Sequence, residues 1–267
     1  MPEPLLQVEN LLVRFADPHR PGGELRAVDG VSLTVAPGEI LGLVGESGSG
    51  KTTLGKTVLR LYEPAGGRIL LRGLDLTHLS EATLRPHRRA MQMVFQDPLS
   101  SFNPRQTIGT AIATPLKLHR LCARAELPAR IAQILDEVGL PASFADRYPH
   151  QMSGGQLQRA AIGRALALKP DLIVADEAVS KLDVSVRAQI LNLLRAVQAR
   201  SGLAMIFITH DLHVARFLCH RIGVMHFGKL LEIGPTERVF ENPQHDYTRA
   251  LLGTVHGSVA REVRIPA

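Results

Sequence analysis

The chain has 267 residues and a mass of 29.1 kDa, enough to bury an apolar core unaided, and its two cysteines, Cys122 and Cys219, lack the spacing of a zinc knuckle or iron–sulfur site. Apolar residues make up 45%, mean hydropathy is +0.05, and no apolar run approaches the roughly 18–20 residues of a membrane helix, which excludes a channel. A formal charge of +6 and a pI near 9.7 suit anionic partners without choosing among nucleotides, acidic lipids and nucleic acid.

The N-terminal stretch carries Glu3, Glu9 and Asn10 among its leucines, so no signal peptide is expected and the chain should stay in the cytosol. Leu5 to Phe15 and Arg26 to Val35 read as antiparallel strands joined by a Pro/Gly-rich turn at Pro18 to Gly23. Glu39 to Val44 is a short buried strand that runs into a glycine loop, and Leu54 to Leu61 then shows helical spacing. A turn at Gly66–Gly67, a strand at Arg68 to Arg72, an arginine- and histidine-rich segment and a strand at Met91 to Phe95 follow. Thr107 to about Leu140 reads as helical, with Ile108, Ile112, Leu116, Ile131, Leu135 and Val138 spaced for apolar faces. The βα alternation then resumes: helix Gly155 to Leu168, strand Leu172 to Ala175, helix Val186 to Arg200, strand Ala204 to Thr209 and helix Leu212 to Cys219. Strands Arg221 to Met225 and Lys229 to Ile233 and a helix near Tyr247 to Leu252 close the chain. Such alternation implies an α/β fold with a parallel sheet.

The loop Gly45-Glu46-Ser47-Gly48-Ser49-Gly50-Lys51-Thr52-Thr53 fits G-x-x-x-x-G-K-[ST], and it follows a strand and opens a helix as that motif requires. Its glycines let backbone amides wrap phosphates, Lys51 reaches the β- and γ-phosphates of ATP, and Thr52 can ligate Mg²⁺. Farther on, the apolar strand Leu172 to Ala175 ends in Asp176 and Glu177, where ligands of open parallel sheets bind. Asp176 is the expected partner of Mg²⁺, and Glu177 is placed to orient or deprotonate an attacking water. Together these motifs indicate a P-loop nucleoside triphosphatase.

The segment Met152-Ser153-Gly154-Gly155-Gln156 resembles the signature of ABC ATPases, with Met152 in place of the usual leucine. Read on its own, it is also an ordinary helix start with Ser153 as N-cap. The resemblance implies that Ser153, Gly154, Gly155 and Gln156 bind the γ-phosphate of ATP held by a second ATPase subunit. It further implies that Gln96 touches Mg²⁺ and the water, that Asp183 lies in a loop crossing the dimer interface, that His210 senses the γ-phosphate, and that Phe15 stacks on adenine. Phe15 could equally be a core residue. The fold it implies is a P-loop ABC ATPase domain over 1–255, with a parallel-sheet core, an antiparallel β subdomain and a helical subdomain at about 97–159, followed by a tail at 256–267.

The strings Val94-Phe-Gln-Asp-Pro98, Ser101-Phe-Asn-Pro104-Arg105, Asp183-Val-Ser-Val-Arg187 and Asn242-Pro-Gln-His245-Asp-Tyr247-Thr248 resemble the peptide and nickel importers of this family. Ala178 and Leu157 depart from the commonest pattern and lean toward the nickel type. The resemblance implies an ATPase subunit that is peripheral at the cytoplasmic face of the inner membrane. It would energise uptake with transmembrane permease subunits, a solute-binding protein and a homologous second ATPase. Segment Leu99 to Ile112 is the expected permease-docking stretch. Lys181, in the loop before Asp183, reads on its own as a solvated surface lysine; if the loop crosses the interface as the resemblance implies, its charge would pair with an acidic group on a non-identical partner or repel its own copy, and either would favour a heterodimer. The alternative is a soluble ABC ATPase acting on nucleic acid or ribosomes, which usually carries a coiled-coil insertion or tandem domains. Neither is seen here, and no nucleic-acid partner is expected.

Overall fold

The computed structural model describes residues 3–16 and 23–253, so most of the expected Pro18 to Gly23 turn, and the expected tail at 256–267, lie outside the described residues. In chain order the elements are β1 (Leu6–Ala16), β2 (Glu24–Val35), β3 (Ile40–Val44), α1 (Lys51–Val58), β4 (Gly66–Leu71), β5 (Leu74–Asp75), α2 (Glu81–Leu84) and β6 (Met91–Val94). Next come α3 (Ile108–Leu118), α4 (Leu127–Glu137), α5 (Gly154–Leu166), β7 (Leu172–Asp176), α6 (Val184–Ser201), β8 (Ala204–Ile208), α7 (Leu212–Leu218), β9 (Arg221–His226), β10 (Lys229–Pro235) and α8 (Thr236–Glu241). Residues 246–253 are helical again. Two compact units result, one from residues up to 78 together with those from 205 onward, the other from residues 79–204.

In the first unit β1 lies between β2 and β4 in an antiparallel sheet ordered β2-β1-β4-β5, with Val8 opposite both Leu33 and Ile69. Period-two alternation places Leu6, Val8, Leu11 and Val13 of β1 and Val31, Leu33 and Val35 of β2 in the core. The expected Gly66–Gly67 turn is instead the start of β4. Gly67 has φ +87°, and a Cβ there would sit 2.5 Å from the Glu9 and Asn10 carbonyl oxygens, so a close backbone approach within the sheet selects this glycine. The second sheet of this unit has β3 between β9 and β8, parallel to both, with β10 antiparallel on β9. Strand β3 is buried from Ile40 to Val44, as its uninterrupted apolar run requires of a parallel strand covered on both faces.

In the second unit β6 and β7 pair in parallel, with Val94 opposite Ala175. Helix α5 packs on β6 and touches α3, α4 and α6. The expected continuous helical stretch from Thr107 to Leu140 is broken between α3 and α4, where Arg120 takes φ +51°, a left-handed conformation that ends α3. Helix starts follow side-chain capping: the Thr107 hydroxyl accepts from the Thr110 amide and the Asp183 carboxylate from the Val186 amide. Helix α6 stops at Gly202, whose φ of +66° suits a C-terminal glycine. Among the described residues no helix is long and apolar enough to cross a membrane.

Candidate nucleotide site

Strand β3 ends at Val44 and the chain turns through Gly45 to Gly50 into α1. Gly50 is the N-cap of α1 with φ +99°, and a Cβ there would meet the Ala27 carbonyl oxygen at 2.2 Å, so only glycine fits. A glycine cap offers no side-chain acceptor to the first turn, which leaves the positive end of the helix for an anion. Lys51 is buried, and its ammonium donates to the Gly45 carbonyl at 2.8 Å, the Glu46 carbonyl at 2.6 Å and the Ser49 hydroxyl at 3.0 Å. The loop is thus wound around its own cation, a cradle shaped for phosphate oxygens. Thr52 and Thr53 follow in the first turn of α1. The turn at Phe227–Gly228 braces the loop from outside, since the Gly228 amide donates to the Ser49 carbonyl at 3.0 Å and the Asp29 amide donates to the Gly228 carbonyl at 2.9 Å.

His210 follows β8, which pairs with β3 so that Ile208 lies opposite Leu43, and the Thr209 amide donates to the Leu43 carbonyl. The strand that carries His210 therefore ends beside the strand that enters the loop. The next residue, Asp211, caps α7 by accepting from the His213 and Val214 amides. Phe15, near the end of β1, is 39% exposed rather than core, and packs edge-on against Tyr62 with ring centroids 5.4 Å apart. Sequence reasoning missed Tyr62; an isolated aromatic after a helix carries no spacing signal.

In the second unit, Gln96 and Glu177 each stand two residues past the paired Val94 and Ala175. The Gln96 side-chain amide donates to a Glu177 carboxylate oxygen at 2.7 Å, joining residues 81 apart in the chain. Ser180 reinforces the arrangement, its amide and hydroxyl both donating to the Glu177 backbone carbonyl at 3.1 and 3.0 Å. Glu177 takes φ +45°, a costly conformation for a side chain of its size, and such strain concentrates at working sites. Asp176, at the end of β7, is 6% exposed. Because Gln96 uses its nitrogen on Glu177, its carbonyl oxygen is left for another partner. Hydroxyl, amide and carboxylate oxygens are all hard donors of the kind Mg²⁺ takes, so Thr52 in the first unit, and Gln96 and Asp176 in the second, are each, taken singly, of the right chemistry for such a ligand. No group of three or more His, Cys, Asp or Glu residues that could hold a metal ion occurs among the described residues.

Ser153 is the N-cap of α5 and forms a reciprocal pair with Gln156: the Ser153 hydroxyl accepts from the Gln156 amide at 3.3 Å, and the Gln156 side-chain oxygen accepts from the Ser153 amide at 3.1 Å. The helix-start reading of this segment therefore holds in full, alongside the glycines Gly154 and Gly155 at the positive end of a 13-residue helix. Beside it opens a cavity of about 450 Å³ lined by Gln96, Leu99, Met152, Gln158, Ala178 and Lys181, among others. Along the stretch expected to dock a permease, Leu99 is exposed, whereas Phe102, Ile108 and Ile112 are core. Phe102 lies under the Arg164 guanidinium at 4.4 Å, and that group also donates to the Ser101 carbonyl at 2.6 Å. Burial holds the Arg164 pKa below its ordinary value.

The sequence is 51% identical over 259 residues to the glutathione import ATP-binding protein GsiA of Escherichia coli K12, and 52% identical to that of Escherichia coli O6:H1. Each alignment takes in 95% of this chain and 41% of the relative, so the chain spans about two fifths of the length of the curated relatives it matches. Among solved structures, the dimeric post-hydrolysis state of the ATP-binding cassette MJ0796 bound to ADP and Pi superposes with a TM-score of 0.78 at 29% identity, over 86% of this chain and 98% of that one. CbiO1 from Clostridium perfringens, at 24% identity and a TM-score of 0.80, shares the fold over 97% of this chain. The ABC transporter family itself matches residues 28–180, more than half of the sequence, and the chain belongs to that family.

Proposed function

We propose that this chain is the ATP-binding and hydrolysing subunit of an ABC importer, with 1–255 as its ATPase domain and the helical subdomain at about 97–159. The observation that carries the reading is the Gln96–Glu177 hydrogen bond, which holds the carboxylate of a residue with left-handed backbone next to an amide whose oxygen can face a metal or water. In the first unit Lys51 and the loop amides would grip the ATP phosphates and Thr52 would offer Mg²⁺ its hydroxyl; in the second, Asp176 and Gln96 would offer Mg²⁺ their oxygens and Glu177 would take the proton of the attacking water. When bound, Mg²⁺ neutralises charge on the β- and γ-phosphate oxygens. His210 is the sensor of the terminal phosphate, and Phe15, with Tyr62 beside it, is an aromatic surface for adenine. Ser153, Gly154, Gly155 and Gln156 serve the ATP of a second, homologous ATPase subunit, with Asp183 in the loop at their shared seam. Dimeric MJ0796 with ADP and Pi supports this mode. The reading places the chain peripherally at the cytoplasmic face of the inner membrane, with permease subunits and a solute-binding protein as partners.

The cargo we propose is a small peptide of the glutathione kind, supported by the GsiA likeness, rather than nickel. Vesicles containing the permease subunits, this ATPase and its homologous second ATPase, with the solute-binding protein outside, should accumulate labelled glutathione or a related tripeptide only with ATP inside. Accumulation of nickel chelates alone would overturn the cargo, and no cargo-stimulated phosphate release at all would overturn transport. Nucleic-acid binding that weakens steeply with salt would favour the alternative, a soluble ABC ATPase acting on nucleic acid or ribosomes.

Lys181 is exposed in the loop before Asp183. If its charge opposes self-pairing, Lys181→Ala in a Glu177→Gln background strengthens ATP-dependent self-association, most of all at low salt where screening is least. Sedimentation profiles that do not change with this substitution at low or high salt would remove the heterodimer argument.

A further inference from the structure

Strand β6 ends at Val94, and the chain carries Gln96 out to Glu177 before it returns to the core. No residue between Val94 and Phe102 is buried and Gln96 itself is exposed, so the stretch has no apolar anchor of its own until Phe102, which is 5% exposed. Local hydrogen bonds shape it instead. The Asp97 carboxylate accepts from the Leu99 amide at 3.1 Å, and the Ser100 hydroxyl donates to the Asp97 carbonyl at 2.9 Å. The Pro98 carbonyl accepts from the Ser101 amide at 3.1 Å and from the Ser101 hydroxyl at 2.8 Å, and the Phe102 amide closes the turn on the Leu99 carbonyl at 3.3 Å. Asp97 to Phe102 is therefore a stiff unit, and holding its end also holds its start beside Gln96.

One side chain holds that end. Arg164, about three turns into α5, donates to the Ser101 carbonyl at 2.6 Å, and its guanidinium lies over the Phe102 ring at 4.4 Å. Among the described residues no carboxylate pairs with this part-buried guanidinium, whose pKa is lowered by burial alone. Desolvating a cation without a counter-charge costs stability, and the two groups that offset the cost, a carbonyl and a ring face, belong to consecutive residues of the turn. Gln96 is gripped from both directions: β6 delivers it two residues past the Val94–Ala175 pair, and the turn tied to α5 fixes the way the chain leaves it.

We propose that Arg164 is a positioning residue for Gln96: by holding the Ser101 carbonyl and the Phe102 ring on α5, it fixes the Asp97–Phe102 turn and, through it, the amide that meets Glu177. The inference rests on the reading of Gln96 and Glu177 as the catalytic pair and adds to it a residue that acts at one remove.

The test is NMR of the full chain, isotopically labelled at its glutamine side-chain nitrogens, alongside thermal melting. The Gln96 signal is identified by its loss in Gln96→Ala, and Glu177→Ala, which removes the acceptor, marks where that signal moves when the contact is broken. Arg164→Met keeps an unbranched apolar stem without donor or charge; it should shift the Gln96 signal toward that position while melting near the parent temperature. Arg164→Lys, which can reach the carbonyl but cannot lie flat on the ring, should shift it less. In the complex with the homologous second ATPase, Arg164→Met should lower kcat about three- to tenfold with the KM for ATP unchanged, because the displaced group works after binding. Should Arg164→Met melt early, Phe102→Leu, which removes only the ring beneath the guanidinium, takes its place and should shift the same signal in the same direction. A Gln96 signal that does not respond to Glu177→Ala would overturn the catalytic-pair reading itself. A signal that responds to Glu177→Ala but not to the Arg164 or Phe102 variant, or turnover equal to the parent's, would overturn the inference alone. So would an equal shift of the Gln156 signal, because the whole of α5 would then have moved.

Discussion

Replacing Glu177 by Gln should lower ATP turnover by about 10²- to 10⁴-fold, the usual worth of a general base, while leaving nucleotide binding near that of the parent. The amide keeps the size and shape of the side chain and can still accept the Gln96 N–H bond at its oxygen, so the local arrangement of Gln96, Glu177 and Ser180 survives. The negative charge and the capacity to take a proton are lost. An ATP-bound form should therefore accumulate, seen as a slowly dissociating species in a nucleotide-trapping assay. Phosphate release within a few-fold of the parent would take the base role away from Glu177.

Lys51→Ala should act one step earlier. The ammonium is buried and already tied to two loop carbonyls and a hydroxyl, so its loss removes the charge facing the phosphates and unties the loop as well. A charge-assisted hydrogen bond contributes about 1.5–3 kcal/mol, and the expected loss in ATP affinity is about 10- to 100-fold, with turnover falling further. Lys51→Arg should not restore it, because the planar guanidinium cannot reproduce a point charge with three converging donors. Unchanged affinity for ATP by calorimetry in Lys51→Ala would show that the phosphates bind elsewhere.

Much of this site could be read from residue order because its parts are local. A buried strand, a glycine loop and a helix start need only about fifteen consecutive residues, and Glu39 to Thr53 contain them all. Likeness to a family singles out Gln96 and Glu177 separately, but their contact is not legible in the sequence, since nothing within either segment names the other. The features missed are those decided by neighbours in space. Gly66 and Gly67 look like a turn along the chain, and the carbonyls of Glu9 and Asn10 make them part of a strand. Helix α8 is six residues long, too short for a periodicity to show. The split between α3 and α4 falls in a polar stretch whose left-handed Arg120 no local pattern announces. Phe15 was left open between core and surface; its exposure and its contact with Tyr62 follow from where β1 ends.

The reciprocal cap at the start of α5 has a consequence for the direction of a single proton. A serine hydroxyl has one hydrogen to give and two lone pairs to receive with. In the pairing with Gln156 the Ser153 oxygen only receives, so its hydrogen is not consumed by the helix and can be pointed outward at an oxyanion. An aspartate at this position would cap the helix as well, but it has no hydrogen to offer and would meet a phosphate with like charge. The cap requirement alone therefore accepts several residues, and the added demand for an outward hydrogen removes aspartate and glycine while keeping serine, threonine and asparagine.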